Sequence, residues 1–335
     1  MVECDVGLRV RIVQQSHKAT IQRSDDRRAG VGWVASAGAA QRSALAAQQP
    51  ARPRRSGGTD QGATPRASGA GIVTSADGTT ITHTTTGSGP GLLVVPGPME
   101  QAAELQDLAN ALAAKSTVHV LDRRGSGGGG PPAPGHGLGV EVEDAQAVLA
   151  ATGAERVLGL SSGAVIALQT ALRTPGITHV IAYEPPITVA RRKAAVVARF
   201  EKELKAGQNV EALITLVKGL EFGPRALRFV PTRFLAAVLR KGEDEERDLL
   251  DRLPTVLQDI RIAEEGAKDL RRFQALEARV LLVGGTRSPD YLTEGLHALA
   301  DLLPHAGKVL VADADHFTPS EHPDQVLPAF QGFLG

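Results

Sequence analysis

Residues 154–172 read AERVLGLSSGAVIALQTAL, and this stretch decides how the chain folds. An apolar run, RVLGL, leads directly into a segment whose apolar residues have helical spacing, and two serines between two glycines join them. This order of residues predicts a buried strand, a sharp turn and a helix. Since such a turn exposes the side chain at its apex, the stretch also indicates a reactive serine.

The spacing of the glycines selects one of the two serines. The G-x-S-x-G pattern fits one frame only, that of Gly159, Ser161 and Gly163. The residues two before and two after the nucleophile must be small, and for Ser162 the earlier one would be the bulky Leu160. We therefore predict that Ser161 is the nucleophile and that the Ser162 N–H, at the start of the helix, binds an oxyanion.

Strand-like and helix-like segments alternate on both sides of this turn. The strand-like segments are GLLVVPG, TVHVLD, THVIAYEPP, ARVLLVGG and GKVLVAD, and PDQVLPAFQGFL closes the chain as a helix. This alternation predicts an α/β fold with a mostly parallel, doubly wound sheet. A hairpin around Asp77 and Gly78 is expected before it.

Two regions depart from the alternation. Residues 187–272 contain only helix-like segments, and we predict a helical lid between the core segments 71–186 and 273–335. Its apolar stripes, FLAAVL and ALITLV, fit a lining for a hydrophobic substrate and ordinary packing on the core equally well. Residues 1–70 are rich in Ala, Gly, Ser, Gln, Pro and Arg without a periodic apolar face, which predicts a disordered extension.

Composition narrows the class of partner. The chain has 37 Lys and Arg against 37 Asp and Glu, so it lacks the basic surplus that nucleic-acid binding needs. No apolar run approaches the roughly 20 residues that span a bilayer. A single cysteine, Cys4, fits a reducing compartment. We expect a cytoplasmic protein with a small-molecule substrate and neither nucleic acid nor membrane as partner; the oligomeric state is left open.

A glycine-rich stretch resembles a dinucleotide site without meeting its requirements. Gly125, Gly127 and Gly130 have G-x-G-x-x-G spacing, but PPAPGHGLG follows them and cannot form the helix that such a site needs. We interpret the stretch as a loop near the mouth of the active site. Since no His, Cys or carboxylate cluster has metal-ligand spacing either, we expect neither a cofactor nor a metal.

The partners of the nucleophile should follow it along the chain as acid and then base. His316, in a loop after the last strand, is the predicted base, with His322 as its nearest competitor. The usual position of the acid, after ARVLLVGG, holds Ser288. Two carboxylates remain as alternatives, Glu184 in AYEPP and Asp290, and we favour Glu184.

Together, GLLVVPG, LDRRGSG, GLSSGA and DADHF make the chain from about Gly71 to Gly335 resemble the α/β-hydrolase superfamily. The pairing of GLSSGA with IAYEPP and VGGTRSPDYL is similar to a largely uncharacterised group of hydrolases, mostly from actinobacteria. The resemblance implies a serine hydrolase that cleaves an ester, thioester or amide of a small apolar molecule through an acyl-enzyme.

The chain departs from the superfamily at one position that matters for catalysis. The superfamily usually has His-Gly-x after its early strand, where x donates a second N–H to the oxyanion. Here Pro96 replaces the histidine and Pro98 stands at x, and proline has no N–H. Either Met99 supplies the donor, or the site has one donor fewer, at a cost of about 3 kcal/mol. The alternative to a hydrolase is therefore a non-hydrolytic protein of the same fold, either a cofactor-free lyase or a ligand-binding protein.

Overall fold

A computed structural model describes residues 69–132, 135–223, 225–242 and 247–335. The extension expected over residues 1–70 lies outside the described residues except for Gly69 and Ala70, which begin the first strand. No helix in the described ranges is long and apolar enough to cross a membrane.

The centre of the molecule is one eight-stranded sheet in the order β1-β2-β4-β3-β5-β6-β7-β8. Its strands are β1 (Gly69–Thr74), β2 (Thr80–Gly87), β3 (Gly91–Val95), β4 (Thr117–Leu121), β5 (Arg156–Leu160), β6 (His179–Tyr183), β7 (Arg279–Gly285) and β8 (Gly307–Val311). The first two strands pair antiparallel, and β3 to β8 are parallel. The predicted α/β class and mostly parallel sheet are confirmed.

Helices cover both faces of this sheet. They are α1 (Gln106–Leu112), α2 (Leu138–Thr152), α3 (Ser162–Arg173), α4 (Val189–Arg192), α5 (Ala194–Lys205), α6 (Asn209–Gly219), α7 (Thr232–Leu239), α8 (Arg247–Ala267), α9 (Asp290–Leu302), α10 (Thr318–Glu321) and α11 (Pro323–Leu334). Short 3₁₀ segments occur at Arg225–Phe229, Arg240–Gly242 and Leu270–Ala275. The closing helix coincides with the predicted PDQVLPAFQGFL.

The inner strands are mainly apolar because both of their faces are covered. All five residues of β5 are buried, and so are four of the five residues of β3 and of β6. One apolar cluster fills the side of the sheet that carries α2, α3 and α9, and a second fills the side of α1 and α11. Parallel strands that are buried in this way bring their carboxyl ends to one edge of the sheet, where loops carry function.

The hairpin predicted at Asp77 and Gly78 is present. Strands β1 and β2 pair from Gly69 with Thr85 to Thr74 with Thr80, and the Thr79 N–H donates to Asp77 Oδ1 at 2.9 Å. Further along, the glycine-rich stretch forms a loop, and the next helix of the described residues begins only at Leu138.

Between β6 and β7 the described residues form helices and no strand. This helical segment, residues 187–272, has its own apolar cluster, which includes Phe200, Leu213 and Leu253. The cluster also contains Tyr291 and Leu292 of α9, so the segment packs against a helix of the core. Residues of the segment line one cavity with Gly97 and Ser161, which follow β3 and β5, so it lies over the carboxyl edge of the sheet.

Candidate active site

Ser161 lies at the apex of the turn between β5 and α3. Its φ of 53° and ψ of −121° are unfavourable for a residue with a β carbon, so the turn is strained at the predicted nucleophile. The Ser161 N–H donates to the Tyr183 carbonyl at 2.8 Å, which fixes the turn to the end of β6.

The two glycines of the motif allow the turn to close. A β carbon on Gly159 would lie 2.2 Å from the Gly163 carbonyl oxygen, and one on Gly163 would lie 2.3 Å from the Val95 carbonyl oxygen. Neither contact is possible, because real β carbons do not approach backbone oxygens so closely. The small residues expected around Ser161 are thus required by the packing of the turn on itself and on β3.

His316 reaches the serine from the loop that follows β8. Its Nε2 atom is 3.1 Å from Ser161 Oγ, and its Nδ1 atom is 2.7 Å from Glu184 Oε2. The loop is held by the Tyr183 hydroxyl, which donates to the Asp315 carbonyl at 2.5 Å. Such a chain of hydroxyl, imidazole and carboxylate lets the imidazole accept the proton of the hydroxyl.

Glu184 is almost completely buried, with 1% of its surface exposed, and its backbone has a φ of 48°. Its Oε1 atom accepts hydrogen bonds from the Gly285 N–H at 2.7 Å and from the Ser288 hydroxyl. Its other oxygen faces His316. Both oxygens are therefore occupied, and the carboxylate is held in one orientation.

The other two candidates lie elsewhere. Asp290 is exposed at the first residue of α9, and among the described hydrogen bonds and ion pairs none joins it to His316. His322 is exposed at the start of α11, where its backbone N–H donates to the Thr318 carbonyl at 2.8 Å. Of the predicted residues, the structure brings Ser161, His316 and Glu184 together.

The helical segment covers this group. The Phe222 ring stacks on the His316 ring with 5.0 Å between centroids and 6° between planes, and it meets Phe317 edge to face. This contact could not be predicted from the sequence, since Phe222 lies between two helix-like segments with no motif around it. The imidazole is therefore shielded from solvent on one face.

A cavity of about 200 Å³ opens beside Ser161, between the sheet edge and the helical segment. Its walls are mainly apolar and include Leu160, Leu213, Leu216, Val217, Leu220, Phe222, Val256, Ile260 and Leu292. The polar groups that line it are Ser161, Ser162, His316, Ser320, Glu100, Glu104, Asp259, Tyr291 and Glu321. No lysine or arginine is among the described residues that line this cavity.

The oxyanion side of the cavity contains the predicted Ser162 and Met99. Ser162 is the first residue of α3, so its N–H has no acceptor within the helix. Met99 has a φ of 63°, and its carbonyl accepts a hydrogen bond from Arg252 of α8. Pro98 lies between this strained residue and Gly97 on the cavity wall. The backbone is thus turned sharply at the residue that follows the missing donor.

A buried charged network, which no motif in the sequence predicts, lies behind Ser162. Asp259 of α8 accepts from the Ser162 hydroxyl at 2.5 Å and from Arg123 at 2.6 Å. Arg123 also makes a two-pronged ion pair with Glu141, at 3.0 and 2.9 Å. Burial alone would raise the pKa of Glu141, but Arg123 and His136 lower it to about 2. The network fixes the helical segment to the turn that carries Ser161.

No cluster of three or more His, Cys, Asp or Glu side chains in the described part of the chain is arranged to hold a metal ion.

The model of a family described as the alpha/beta hydrolase family matches residues 92–329, which is more than half of the chain. Among solved structures, an alpha/beta hydrolase from Sphaerobacter thermophilus is similar, with a TM-score of 0.64 and 26% identity over 79% of this chain and 100% of that one.

Two more distant structures share the fold. One is a serine hydrolase involved in carbazole degradation, with a TM-score of 0.58 and 17% identity over 80% of this chain and 99% of that one. The other is E-2-(acetamidomethylene)succinate hydrolase, with a TM-score of 0.57 and 18% identity over 80% of this chain and 99% of that one. At these identities the likeness extends to the fold alone.

Proposed function

The chain belongs to the alpha/beta hydrolase family, and from that premise we propose that it is a serine hydrolase that forms an acyl-enzyme on Ser161. The observation that carries the proposal is the hydrogen-bonded chain from Ser161 through His316 to Glu184 at the wall of an apolar cavity. From the motifs GLSSGA, IAYEPP and VGGTRSPDYL we further propose that it is one of the largely uncharacterised hydrolases of actinobacterial type.

Each of the three hydrogen-bonded residues, Ser161, His316 and Glu184, has one role in this mechanism. Ser161 Oγ attacks the carbonyl carbon of the substrate while His316 Nε2 takes its proton. Glu184 holds the imidazole by its Nδ1–H and stabilises the imidazolium that forms. The same proton then passes to the leaving group as the acyl-enzyme forms, and a water molecule activated by His316 releases the acyl group. The Ser162 N–H and, through its turned backbone, the Met99 N–H are the proposed donors to the oxyanion.

The cavity supports an uncharged, mainly apolar substrate. Its walls are aliphatic and aromatic, and its volume of about 200 Å³ suits a small acyl group. A carboxylate on the substrate would find no lysine or arginine among the described lining residues. We therefore propose an ester, thioester or amide of a small apolar acid as the substrate.

From the balanced charge and the single cysteine we further propose that the protein has neither nucleic acid nor membrane as a partner and is cytoplasmic.

The helical segment, residues 187–272, acts as a lid in this proposal. It supplies most of the apolar wall of the cavity, and Phe222 covers His316. A covered site excludes water from the apolar pocket, which strengthens the electrostatic interactions with the reacting carbonyl. Of the two apolar stripes, ALITLV supplies Leu213 and Leu216 to the cavity wall, whereas Leu235 of FLAAVL packs within the segment.

The alternative function, a cofactor-free lyase or a ligand-binding protein, is favoured by one observation, the proline at the position of the second oxyanion donor. A protein of this class would retain the fold and the cavity without turnover of esters. It would not need a serine that reacts with acylating agents.

A fluorophosphonate probe separates the two functions. We expect stoichiometric labelling of the wild-type protein at Ser161 and none of Ser161→Ala. Ser162→Ala is the matched control, because it changes the adjacent hydroxyl and keeps the backbone N–H; it should still be labelled. A wild-type protein that resists the probe would contradict the hydrolase proposal.

The substrate class is tested with a panel of p-nitrophenyl esters and acyl thioesters of increasing chain length. We expect kcat/KM to favour short apolar acyl groups and to fall when the acyl chain ends in a carboxylate. A preference for the carboxylate-ended members would contradict the assignment of an uncharged substrate.

A further inference from the structure

The turn that carries the proposed Met99 donor has a backbone conformation that its own residues do not favour. Residues 97–100 form a turn with Pro98 and Met99 at its centre, and Met99 has a φ of 63°. Proline at the second position and a positive φ at the third are the pattern of a type II turn. The third position favours glycine or asparagine, because a larger side chain is crowded there. A contact from outside the turn is therefore needed to hold Met99 in this conformation.

The conformation of Met99 decides where its N–H points. Type I and type II turns differ chiefly by a flip of the central peptide group, which here joins Pro98 to Met99. This group carries the only N–H of the two central residues, since proline has none. Among the described hydrogen bonds, none is donated by the Met99 N–H. The flip therefore decides whether the oxyanion site has its second donor.

The turn is packed against the nucleophile. A β carbon on Gly97 would lie 3.3 Å from Ser161 Cβ and 3.4 Å from the Leu160 carbonyl oxygen, so the two backbones are in close contact there. The Glu100 carboxylate closes the turn from its other end, since its Oε2 atom accepts from the Gly97 N–H at 2.7 Å. A flip of the central peptide would thus take place beside Ser161, at the cavity that both Met99 and Ser161 line.

Arg252 of α8 holds the carbonyl of Met99. Its Nη1 atom donates to that oxygen, and Nη1 and Nη2 donate to the two carboxylate oxygens of Glu104 at 3.0 Å each. Glu104 is tied back to the same loop, because its Oε2 atom accepts from the Gln101 N–H at 2.9 Å. On its own helix the guanidinium donates to the carbonyl and the carboxylate of Asp248 at 3.2 and 3.1 Å. These bonds fix the guanidinium, and with it the Met99 carbonyl.

The same helix also contacts the other proposed donor residue. Asp259 follows Arg252 by about two helical turns, so both side chains lie on one face of α8. Asp259 accepts from the Ser162 hydroxyl at 2.5 Å. The helical segment is thereby attached to the oxyanion site at two points, and Arg252 approaches Met99 from a helix that Ser162 holds in place.

We propose that Arg252 is a positioning residue that holds the turn at Pro98 and Met99 in the type II conformation, in which the Met99 N–H donates to the oxyanion. The helical segment thus completes the oxyanion site at the point where Pro98 leaves it one donor short. This role rests on the hydrolase function proposed above. Arg252 acts through Met99 and is not among the described residues that line the cavity.

Arg252→Gln tests the role through kcat. Without the guanidinium the turn can relax to a negative φ at Met99, and the oxyanion then loses one donor. We expect kcat for a short p-nitrophenyl ester to fall about 10²-fold with KM within about twofold of wild type. Arg261→Gln, at an exposed arginine of the same helix, is the matched control and should keep kcat within about twofold. A wild-type kcat in Arg252→Gln would overturn the proposal.

A double-mutant cycle gives a readout that a merely structural role would not move. Glycine adopts a positive φ without strain, so after Met99→Gly the turn no longer needs the arginine. In the Met99→Gly background, Arg252→Gln should therefore lower kcat less than about fivefold, against about 10²-fold in the wild type. A loss caused by misfolding or by the unpaired Glu104 carboxylate would be the same in both backgrounds, and that result would overturn the proposal. Arg252→Lys, which keeps a charge beside Glu104, takes the place of Arg252→Gln in the cycle if the latter does not fold.

Fluorophosphonate labelling distinguishes failure of this role from failure of the proposed function. If the wild type resists the probe, the hydrolase function fails, and the role of Arg252 fails with it. If the wild type is labelled and turns over esters but the cycle shows equal losses in both backgrounds, the hydrolase stands and the positioning role is wrong.

Discussion

The Ser288 hydroxyl donates a hydrogen bond to Glu184 Oε1, from the position in the chain where the resemblance placed an acid. In this protein the carboxylate, Glu184, stands at the end of the preceding strand, β6, and Ser288 orients it. Together with the Gly285 N–H at 2.7 Å, it leaves Glu184 Oε2 for His316.

Ser288→Ala should weaken catalysis moderately. The variant removes one of two hydrogen bonds to Glu184 Oε1, and a hydrogen bond to a charged group contributes about 1.5–3 kcal/mol. Because the Gly285 N–H remains, we expect kcat to fall about 10-fold with KM unchanged, as measured by steady-state ester hydrolysis. An unchanged kcat would show that Gly285 alone is sufficient to orient the carboxylate.

Glu184→Gln should be far more damaging. The amide cannot stabilise the imidazolium and favours the wrong imidazole tautomer, so kcat should fall about 10⁴-fold. The matched control is Asp290→Asn, at the exposed start of α9, which should keep kcat within about twofold. If Asp290→Asn lost activity and Glu184→Gln kept it, Asp290 would be the acid, and the hydrogen bond between Glu184 and His316 would not be the one used in catalysis.

The fold follows from the sequence because its signals are local. Continuous apolar runs of about five residues predict strands buried on both faces, and β3, β5 and β6 are such strands. The turn at Ser161 is also local, since the clash that demands Gly159 comes from Gly163 four residues later. The requirement for Gly163 is different, since the oxygen that a β carbon there would meet belongs to Val95 of β3.

Other parts of the site could not be predicted because they depend on packing between distant segments. Asp259 is one of several acids in a helix-like stretch, and its role arises only where α8 crosses over Ser162. Glu100 is a single charged residue in a short loop, and the sequence cannot show that Gly97 and Ser320 hold its carboxyl in the cavity. Ser288 and Glu184 stand 104 residues apart, and only adjacent parallel strands bring them together.

The Arg123 network predicts how stability depends on pH. The pKa of Glu141 is lowered from its ordinary 4.5 to about 2 in the folded protein. The ionised Glu141 therefore adds to the free energy of unfolding above pH 4.5. This contribution is lost as the pH falls towards 2, because the carboxyl of the unfolded chain takes up a proton at a higher pH than that of the folded protein. We expect Glu141→Gln to lower the free energy of unfolding at pH 7 by on the order of 3 kcal/mol.

The same variant should flatten the acid side of the stability curve. Denaturant unfolding at pH 7, 5 and 3 measures this, with Glu143→Gln as the control, since Glu143 is exposed on the same helix. The difference between the wild type and Glu141→Gln should shrink steadily towards pH 3. A difference that stays constant with pH would assign the loss to packing and not to the charge of Glu141.

Phe222 links the helical segment to the imidazole of His316. Truncation of Phe222 should therefore change KM more than kcat. Phe222→Ala deletes a ring stacked on His316 at 5.0 Å and part of the cavity wall. Aromatic pairing contributes about 0.5–1.5 kcal/mol beyond area burial, so we expect kcat/KM for short apolar esters to fall up to about 10-fold, mainly through KM. Phe234→Ala is the matched control, because that ring is 59% exposed on α7 and does not line the cavity. Equal losses in both variants would mean that the effect comes from the stability of the helical segment, and the contact with His316 would then have no role of its own.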